Sequence, residues 1–315
     1  MPKVTVSIPT FNRVNILPFA IESVLNQSYQ DWELIICDDG SDDGTPELMS
    51  QYTDSRIKYI RHPQNIGKSN NMRSGFEAAS GEYFIKFDDD DRLTKDFLAH
   101  TAAILDKDFS ISFVGTDHWI IDINNVRDEA KTQDNSRLWG RASLSAGIVD
   151  NLLEVVFVKQ CFQIGATLFR RQTLQELGYM LPNMQNCEDN DLFVRLALAG
   201  KKGYYLPELL MEYRVHAEQQ GTNRAIRYLT DKLVYLSSYK FDSEKLERIR
   251  QNRLRETELL LGLRLIETGE TQKGRQLVWA GKSVSTAKAW TGLGLSVLPV
   301  GLRGKAFELV RSVKG

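Results

Sequence analysis

Hydrophobic and polar positions follow two different periods in the first third of the chain. Short apolar or β-branched runs predict strands at residues 4–8, 32–37, 57–61 and 83–87. Between these runs, apolar residues recur at helical spacing and predict helices at about residues 14–27, 42–52 and 69–79. Strands that alternate with helices are typical of a parallel sheet covered on both faces. We therefore expect an α/β fold with a doubly wound, mainly parallel sheet, whose ligands bind beyond the carboxyl ends of the strands.

The pattern changes further along the chain. Less regular sequence holds candidate strands at residues 111–116, 164–170 and 204–213. After residue 216 helical spacing dominates, with helices predicted at 226–239 and 245–268 and another after a turn at Gly269. This change predicts an α/β domain over residues 1–218 and an α-helical C-terminal region over residues 219–315.

The composition limits the classes of function. The 315 residues carry a formal net charge of -1, so no overall attraction to nucleic acid is expected. Three cysteines without C-x-x-C spacing indicate neither a disulfide framework nor a zinc site. A strand predicted from residue 4 leaves no room for a signal peptide, and we expect a cytoplasmic location.

Four consecutive aspartates, Asp88 to Asp91, follow the strand predicted at residues 83–87. Adjacent carboxylates beyond a buried strand repel one another unless a cation neutralises them. Hard divalent cations such as Mg²⁺ and Mn²⁺ prefer carboxylate oxygens and leave positions open for phosphate. The cluster therefore indicates a metal site, with a solvated acidic turn as the alternative.

Two further acidic clusters lie at the ends of predicted elements. Asp39, within Asp38-Asp39-Gly40-Ser41, follows a strand and is placed to accept hydrogen bonds from a base or a ribose. Asp189 and Asp191 open a helix whose apolar side packs inward. Either carboxylate suits an N-cap, and for Asp191 we favour that interpretation. A carboxylate at this helix start that faces the aspartate cluster could equally accept a proton from a hydroxyl.

Taken in order, these pieces resemble the family 2 glycosyltransferases, which have the GT-A fold with its Rossmann-like sheet. The resemblance runs from about residue 4 to residue 216 and is carried by VSIPTFNR at 6–13, SYQDWEL at 28–34 with DDGS at 38–41, GEY at 81–83 with the aspartates, ED at 188–189 and YRVH at 213–216. It implies a metal-dependent enzyme that moves a sugar from a nucleoside diphosphate to a hydroxyl group, with inversion at the anomeric carbon.

The resemblance also implies which residues bind the donor. It gives a nucleoside pocket, with Asp39 toward the base, formed by Pro9, Thr10, Phe11 and Asp39. Asp88 to Asp90 resemble the DXD element of the family, in which Asp90 and Asp88 ligate Mn²⁺ or Mg²⁺ and Asp89 contacts the ribose or the metal. His216 lies where relatives have a histidine that reaches the metal or the diphosphate.

Other positions concern catalysis and the phosphates. The resemblance implies that Asp189 is the catalytic base and that Glu188 holds the acceptor. Many relatives carry an Arg-Asn pair where this chain has Met72 and Arg73, so the phosphate contact is open between Lys68 and Arg73.

The substrates are less well defined by the sequence. A UDP-sugar donor and a saccharide or lipid-linked saccharide acceptor are expected, as in the building of bacterial surface polysaccharides and glycans. Trp139 and Gln163, in the variable region, are candidate acceptor contacts. The alternatives are a sugar-phosphate nucleotidyltransferase, for which no glycine-rich basic loop follows the first strand, and a catalytically inactive scaffold that binds nucleotide-sugars.

The C-terminal tail has a distinct composition. Residues 273–315 hold eight Lys or Arg residues and one acid, Glu308, among several tryptophans and leucines. The charge-free stretch at 289–302 is shorter than the roughly 20 residues that span a bilayer. The tail therefore predicts either peripheral contact with the inner face of an anionic membrane or an oligomerisation element.

Overall fold

The structure is a computed structural model that describes residues 1–182, 184–215 and 222–312. The chain divides into two compact units, Met1–His216 and Ala217–Gly315. The domain boundary predicted at residues 218 and 219 lies outside the described residues and stays a prediction.

The first unit is built on one mixed sheet. Its strands are β1 (Val4–Thr10), β2 (Trp32–Asp38), β3 (Ile57–Arg61), β4 (Tyr83–Lys86), β5 (Arg92–Leu93), β6 (Ile111–Ile121), β7 (Gly147–Ile148), β8 (Thr167–Arg170) and β9 (Lys202–Arg214). The strand order is β3-β2-β1-β4-β8-β6-β9-β5, and β7 pairs with β9. Strands β1 to β4 run parallel, β8 is antiparallel to β4 and β6, and β6 is parallel to β9. The predicted α/β class and its mainly parallel sheet are confirmed.

Helices cover the sheet because its strands are apolar on both faces. They are α1 (Leu17–Leu25), α2 (Thr45–Met49), α3 (Lys68–Ala78), α4 (Phe97–Lys107), α5 (Glu129–Leu138), α6 (Leu152–Glu154), α7 (Arg171–Leu177) and α8 (Glu188–Leu198). Val6, Leu34 and Ile85 on adjacent strands are fully buried in one core with Ile21 of α1 and Leu98 of α4. Because these strands are buried on both faces, they appear in the sequence as continuous apolar runs and not as alternating apolar and polar residues.

The strand register places three loops at one edge of the sheet. Thr10 of β1 pairs with Asp38 of β2, and Ser7 of β1 pairs with Lys86 of β4. The residues that follow these three strands therefore lie close together, at the carboxyl ends where α/β sheets bind ligands.

The second unit consists of helices. They are α9 (Thr222–Ser237), α10 (Glu244–Thr268), α11 (Thr271–Ala280), α12 (Thr286–Leu295) and α13 (Val300–Ser312). Helix α10 ends at Thr268, and the following Gly269 has a φ of +107°, which suits a glycine at a helix end. Helices α10 and α11 approach closely at Gly262 and Gly274, where an added Cβ would lie 2.7 Å from a backbone oxygen of the other helix.

The charge-free stretch at 289–302 does not form one continuous helix. Helix α12 ends at Leu295 and α13 begins at Val300, directly after Pro299. In the parts of the chain that the structure describes, we find no helix with the length and apolar character needed to cross a bilayer.

Candidate active site

The loops after β1 and β2 are tied to each other. The backbone N–H of Asn12 donates to Ser41 Oγ at 2.9 Å, and the N–H of Asp42 donates to Asn12 Oδ1 at 3.0 Å. Asn12 has a φ of +54°, which suits an asparagine that bonds locally. The loop leaves the neighbouring Phe11 side chain 43% exposed beside Thr10. An aromatic face is thereby available for a planar ligand at the end of β1.

Asp39 braces the loop that leads into α3. Its Oδ1 accepts from the N–H of Ile66 at 2.6 Å and its Oδ2 from the N–H of Gly67 at 3.1 Å. Burial raises the pKa of Asp39, and these two N–H groups offset only part of the rise. A carboxylate has about four lone-pair sites, so two remain for a further donor.

The aspartate cluster after β4 contains carboxylates in three different environments. Asp88 forms an ion pair with the buried Lys86, and the charges of Lys86 and Lys68 bring the pKa of Asp88 below its ordinary value although burial alone would raise it. Burial and the charge of Asp90 raise the pKa of Asp89 to about 7. Burial and the same neighbour raise the pKa of Asp91 well above its ordinary value.

Arg214 at the end of β9 holds the backbone of this cluster. Its N–H donates to Asp91 Oδ1 at 2.9 Å, and its Nε donates to the carbonyl of Asp90 at 2.6 Å. Its Nη1 and Nη2 bond Asp122 O at 2.9 Å and Asn125 Oδ1 at 2.7 Å. Because the guanidinium is fully buried and multiply bonded, it fixes the turn that presents the aspartates.

Asp189 at the start of α8 has a carboxylate oxygen that is not used by the fold. Within the described part of the chain, its Oδ1 is buried without a hydrogen-bond partner. Burial and the adjacent Glu188 raise the pKa of Asp189 to about 6, although Lys86 and Lys68 act in the opposite direction. A half-buried carboxylate with this pKa is suited to accept a proton near neutral pH.

Glu188 is neutralised by a lysine from another element. Lys68 Nζ at the start of α3 lies 2.7 Å from Glu188 Oε1. The Glu188 side chain is 2% exposed and that of Lys68 is 45% exposed. Burial lowers the pKa of Lys68, but Glu188 and the nearby aspartates raise it by more, so the lysine stays charged. The ion pair joins the loop after β3 to the helix that carries Asp189.

Asp191 has a structural partner instead. Its Oδ2 accepts from Arg195 Nε at 2.7 Å, one turn further along α8. Arg195 also donates to the carbonyls of Leu177 and Tyr179, which end the preceding helix and turn. Asp191 therefore anchors α8 through a side-chain ion pair, and the N-cap position of the helix is occupied by Cys187 and not by Asp191.

Comparisons with known proteins agree with this geometry. The family model described as Glycosyl transferase family 2 matches residues 5–163 of the 315. The chain belongs to glycosyl transferase family 2. EpsE, a putative glycosyltransferase of Bacillus subtilis (strain 168), is 30% identical over 230 residues, which are 71% of this chain and 76% of that protein. The resemblance stated from the motifs is confirmed, and the protein is a glycosyltransferase.

Other relatives and solved structures extend this comparison. A Campylobacter jejuni GalNAc(5)-diNAcBac-PP-undecaprenol beta-1,3-glucosyltransferase is 44% identical over 97 residues, 30% of this chain and 31% of that protein. S. aureus TarS 1-349 in complex with UDP-GlcNAc has a TM-score of 0.63 at 13% identity, covering 98% of this chain and 92% of that chain. The mannosyltransferase PcManGT from Pyrobaculum calidifontis, in complex with GDP-Man and Mn²⁺, has a TM-score of 0.60 at 17% identity, covering 99% and 86%. At these identities the two structures show the GT-A fold alone.

Not every predicted site residue in this family member has a side chain available for a substrate. Arg73 donates from Nη1 to the carbonyl of Met180 at 2.9 Å, which links α3 to the turn after α7. Gln163 Oε1 accepts from the N–H of Ala166 at 2.7 Å and caps a short turn before β8. Trp139 follows α5 and is 37% exposed. His216 lies outside the described residues, and its predicted role stays a prediction.

The metal expected for this family has a suitable set of donors. Within residues 1–182, 184–215 and 222–312, no group of three or more His, Cys, Asp and Glu side chains is already arranged around a metal position. Asp91 Oδ2 is nevertheless buried without a partner, and Asp89 has its pKa raised by the neighbouring carboxylate. Oxygen donors with this excess of negative charge fit Mg²⁺ or Mn²⁺, and binding of either cation would reduce the repulsion among the carboxylates.

Sequence reasoning missed two cations of this site. Lys86 lies inside the apolar run of β4 and is 1% exposed, and Arg214 was noticed only as part of the YRVH motif. Lysine and arginine are almost never fully buried without a partner. A lysine within an apolar run, two residues before an aspartate, is therefore a feature of the sequence that predicts a buried ion pair.

Proposed function

We propose that this glycosyltransferase moves a sugar from a nucleoside diphosphate to a hydroxyl of a saccharide or lipid-linked saccharide, with inversion at the anomeric carbon. UDP is the expected nucleotide and Asp189 is the catalytic base. The observation that carries the proposal is the buried, unbonded Oδ1 of Asp189, whose pKa is raised to about 6.

Inversion follows from a single displacement. The acceptor hydroxyl gives its proton to Asp189, its oxygen bonds the anomeric carbon, and the bond from that carbon to the diphosphate oxygen breaks with the electron pair leaving on the diphosphate. One base is sufficient for this reaction, because the leaving group departs as an anion. Glu188 is already paired with Lys68, so it is a weaker candidate for the base and a better one for holding the acceptor.

The donor is bound by the three loops at the carboxyl edge of the sheet. Phe11 offers an aromatic face and Asp39 retains free lone pairs for the base or the ribose. Lys68 is the better of the two phosphate candidates, because it is 45% exposed whereas Arg73 is bonded to the carbonyl of Met180. A bound diphosphate would thus compete with Glu188 for the same ammonium group.

Asp90 and Asp88 are the proposed metal ligands. A bound Mn²⁺ or Mg²⁺ supplies charge neutralisation to the diphosphate as negative charge develops on it. Lys86 neutralises Asp88 in the structure, and Arg214 holds the backbone of Asp90 and Asp91. These two cations keep the ligand loop in place while leaving the carboxylates close together.

The lipid-linked acceptor is supported by the named activities of relatives. The Campylobacter jejuni relative acts on an undecaprenol diphosphate-linked saccharide by its name, and the match covers 30% of this chain. A UDP-Glc:alpha-D-GlcNAc-diphosphoundecaprenol beta-1,3-glucosyltransferase of Escherichia coli is 31% identical over 123 residues, which are 39% of this chain and 48% of that protein. The two named activities share a diphosphoundecaprenol-linked acceptor, so they support the acceptor class.

A donor panel tests the proposal. Release of nucleoside diphosphate is measured from UDP- and GDP-sugars, with and without a lipid-linked saccharide acceptor, and the anomeric configuration of the product is determined by NMR. We expect one nucleotide to be preferred and the product to be inverted. Retention of configuration would contradict the single displacement, and release of pyrophosphate from a nucleoside triphosphate would instead identify a nucleotidyltransferase.

A further inference from the structure

The two units of the chain carry opposite charge. Residues 217–315 contain 18 Lys and Arg against 10 Asp and Glu, whereas residues 1–216 contain 22 against 31. The formal charges are therefore +8 and -9, although the whole chain is nearly neutral. Any electrostatic attraction to an anionic surface must come from the C-terminal unit.

The excess positive charge is exposed on the last three helices and their connecting turns. Four lysines there are exposed and, among the described residues, have no carboxylate partner: Lys273, Lys282, Lys288 and Lys305. By contrast, Arg311 pairs with Glu267 at 2.8 Å, and the buried Arg303 bonds backbone carbonyls. The four lysines are not needed to neutralise the fold, so their charge is available to a partner.

An exposed aromatic cluster lies beside one of these lysines, Lys282. Trp279 of α11 and Trp290 of α12 are 52% and 62% exposed, and their ring centroids are 6.2 Å apart. Lys282 Nζ lies 3.5 Å from the Trp279 ring, and Val284 in the same turn is 46% exposed. We call Trp279, Lys282, Val284 and Trp290 the tryptophan patch.

The tryptophan patch is not part of the core of these helices. That core is formed by Val278 and Ala289, the sequence neighbours of the two tryptophans, with Leu259, Ile266 and Phe307. Adjacent residues of a helix point in different directions, so the same two helices bury one face and expose the tryptophans on another. Large exposed aromatic groups next to cations do not contribute to the packing of the fold, and such surfaces mark interaction sites.

We propose that the tryptophan patch, together with the other exposed lysines of the same unit, binds the headgroup region of an anionic membrane. Tryptophan combines an apolar body with a polar N–H and is favoured at the boundary of headgroups and acyl chains. Anionic lipid is complementary to the four lysines. In a symmetric dimer through the same surface, the lysines of both copies would be brought together, and like charges would oppose the association.

This inference extends the proposed function by naming the surface on which a lipid-linked acceptor is met. It rests on that function only for the identity of the acceptor. Binding to vesicles is measured without donor or acceptor, so its failure leaves glycosyl transfer untested, and failure of glycosyl transfer leaves the membrane surface untouched.

The test is flotation of the full chain with vesicles of phosphatidylcholine, with and without phosphatidylglycerol. We expect binding to the anionic vesicles only, and a decrease as salt is raised. The double variant Trp279→Ser/Trp290→Ser should bind at least about tenfold more weakly. Each lysine near an anionic surface accounts for about a fivefold change, so Lys282→Gln should weaken binding about fivefold.

Matched variants in the first unit are the controls. Phe109→Ser removes an aromatic side chain that is 79% exposed, and Lys58→Gln/Lys107→Gln removes two exposed lysines. Both should bind vesicles like the parent chain, and thermal unfolding of all variants verifies that they are folded. Equal binding to neutral and anionic vesicles, or unchanged binding of the tryptophan variant, would overturn the proposal. So would a dimer in sedimentation equilibrium that dissociates in Trp279→Ser/Trp290→Ser without any vesicle binding.

Discussion

Asp189 and Asp191 lie in the same turn of α8, yet their carboxylates have different surroundings. Asp191 Oδ2 is bonded to Arg195, whereas Asp189 Oδ1 has no hydrogen-bond partner in the described chain. The sequence alone shows two acids at a helix start, where both are favourable. Arg195, four residues after Asp191, is the feature of the sequence that distinguishes them, because oppositely charged side chains at this spacing pair on a helix.

Replacing Asp189 by Asn should separate catalysis from stability. Asparagine keeps the size but is no base, so kcat should fall by a factor of about 10² to 10⁴ while affinity for UDP changes little. Asp191→Asn is the matched control. It weakens the bond to Arg195 and should cost about 1 to 3 kcal/mol of stability with nearly normal turnover. Near-normal turnover in Asp189→Asn, or an equal loss in both variants, would show that Asp189 is not the unique base.

The raised pKa of Asp189 also predicts how activity depends on pH. Since the pKa is about 6 and the base must be deprotonated, kcat/KM should rise with pH through about 6 and then level off.

The same raised pKa affects the free energy of unfolding in the opposite direction, so stability falls where activity rises. A carboxyl whose folded pKa lies above its unfolded value destabilises the fold as pH rises from about 4 to about 6. Asp189→Asn should therefore unfold at pH 8 at a temperature no lower than the parent chain, and a lower Tm would contradict the assigned environment.

Residues of the site were predicted unevenly, for a physical reason. Carboxylates at strand ends are visible in a sequence because they interrupt apolar runs, which indicates Asp39 and Asp90, whereas Asp189 opens a helix and is indicated by the family resemblance. The partner of a buried group is not visible in this way. Lys68 and Glu188 are far apart in the chain, and only the fold shows that they form an ion pair at 2.7 Å.

At the scale of elements, polar residues in strands produced the largest difference from prediction. The strand predicted at residues 111–116 continues as β6 to Ile121. Asp117 and His118 lie beyond the end of the predicted strand, yet both are buried in the sheet. Arg141 makes this possible, because its Nε donates to Asp117 Oδ1 at 2.7 Å. A buried ion pair from a distant turn thus extends a strand in a way that local pattern does not indicate.

The packing of α3 on the sheet predicts the effect of a small substitution. A Cβ at Gly75 would lie 2.1 Å from Ser7 Oγ and 3.0 Å from Cys37 Sγ. Gly75→Ala should therefore force α3 away from β1 and β2 and destabilise the first unit by about 1 to 3 kcal/mol. Because α3 begins at Lys68, UDP affinity should fall as well.

Gly304 in α13 is the matched control for this effect. An added Cβ there meets no atom within 4 Å, so Gly304→Ala should stabilise the second unit by about 0.5 to 1 kcal/mol through helix propensity alone. Urea unfolding followed by circular dichroism measures both variants. Equal effects of the same sign would contradict the close approach at Gly75.

At the scale of the whole molecule, the parallel half of the sheet was easier to predict than the rest. Strands β1, β2 and β3 follow one another along the chain, separated by helices, and are neighbours in the sheet in that sequence, while β4 adds on the other side of β1. Strand β8 lies between β4 and β6 and runs antiparallel to both. Its position depends on contacts between distant segments, and no local period specifies them.

The negative charge of the first unit also predicts that binding of a nucleoside diphosphate depends on a metal ion. The first unit has a formal charge of -9, and a diphosphate would be placed beside the carboxylates that follow β4. Without a cation these like charges repel one another, so UDP should bind about tenfold more weakly, or worse, in excess chelator, and Mn²⁺ or Mg²⁺ should restore binding. Asp90→Ala should show the same loss with metal present and little further loss on chelation, since the two changes remove one interaction.

Asp134→Ala, which removes an acid that is 72% exposed on α5, is the control and should keep the full response to metal. Calorimetric titration with UDP measures the parent chain and both variants with and without metal, and equal UDP affinity of the parent chain in the two conditions would remove the cation from donor binding.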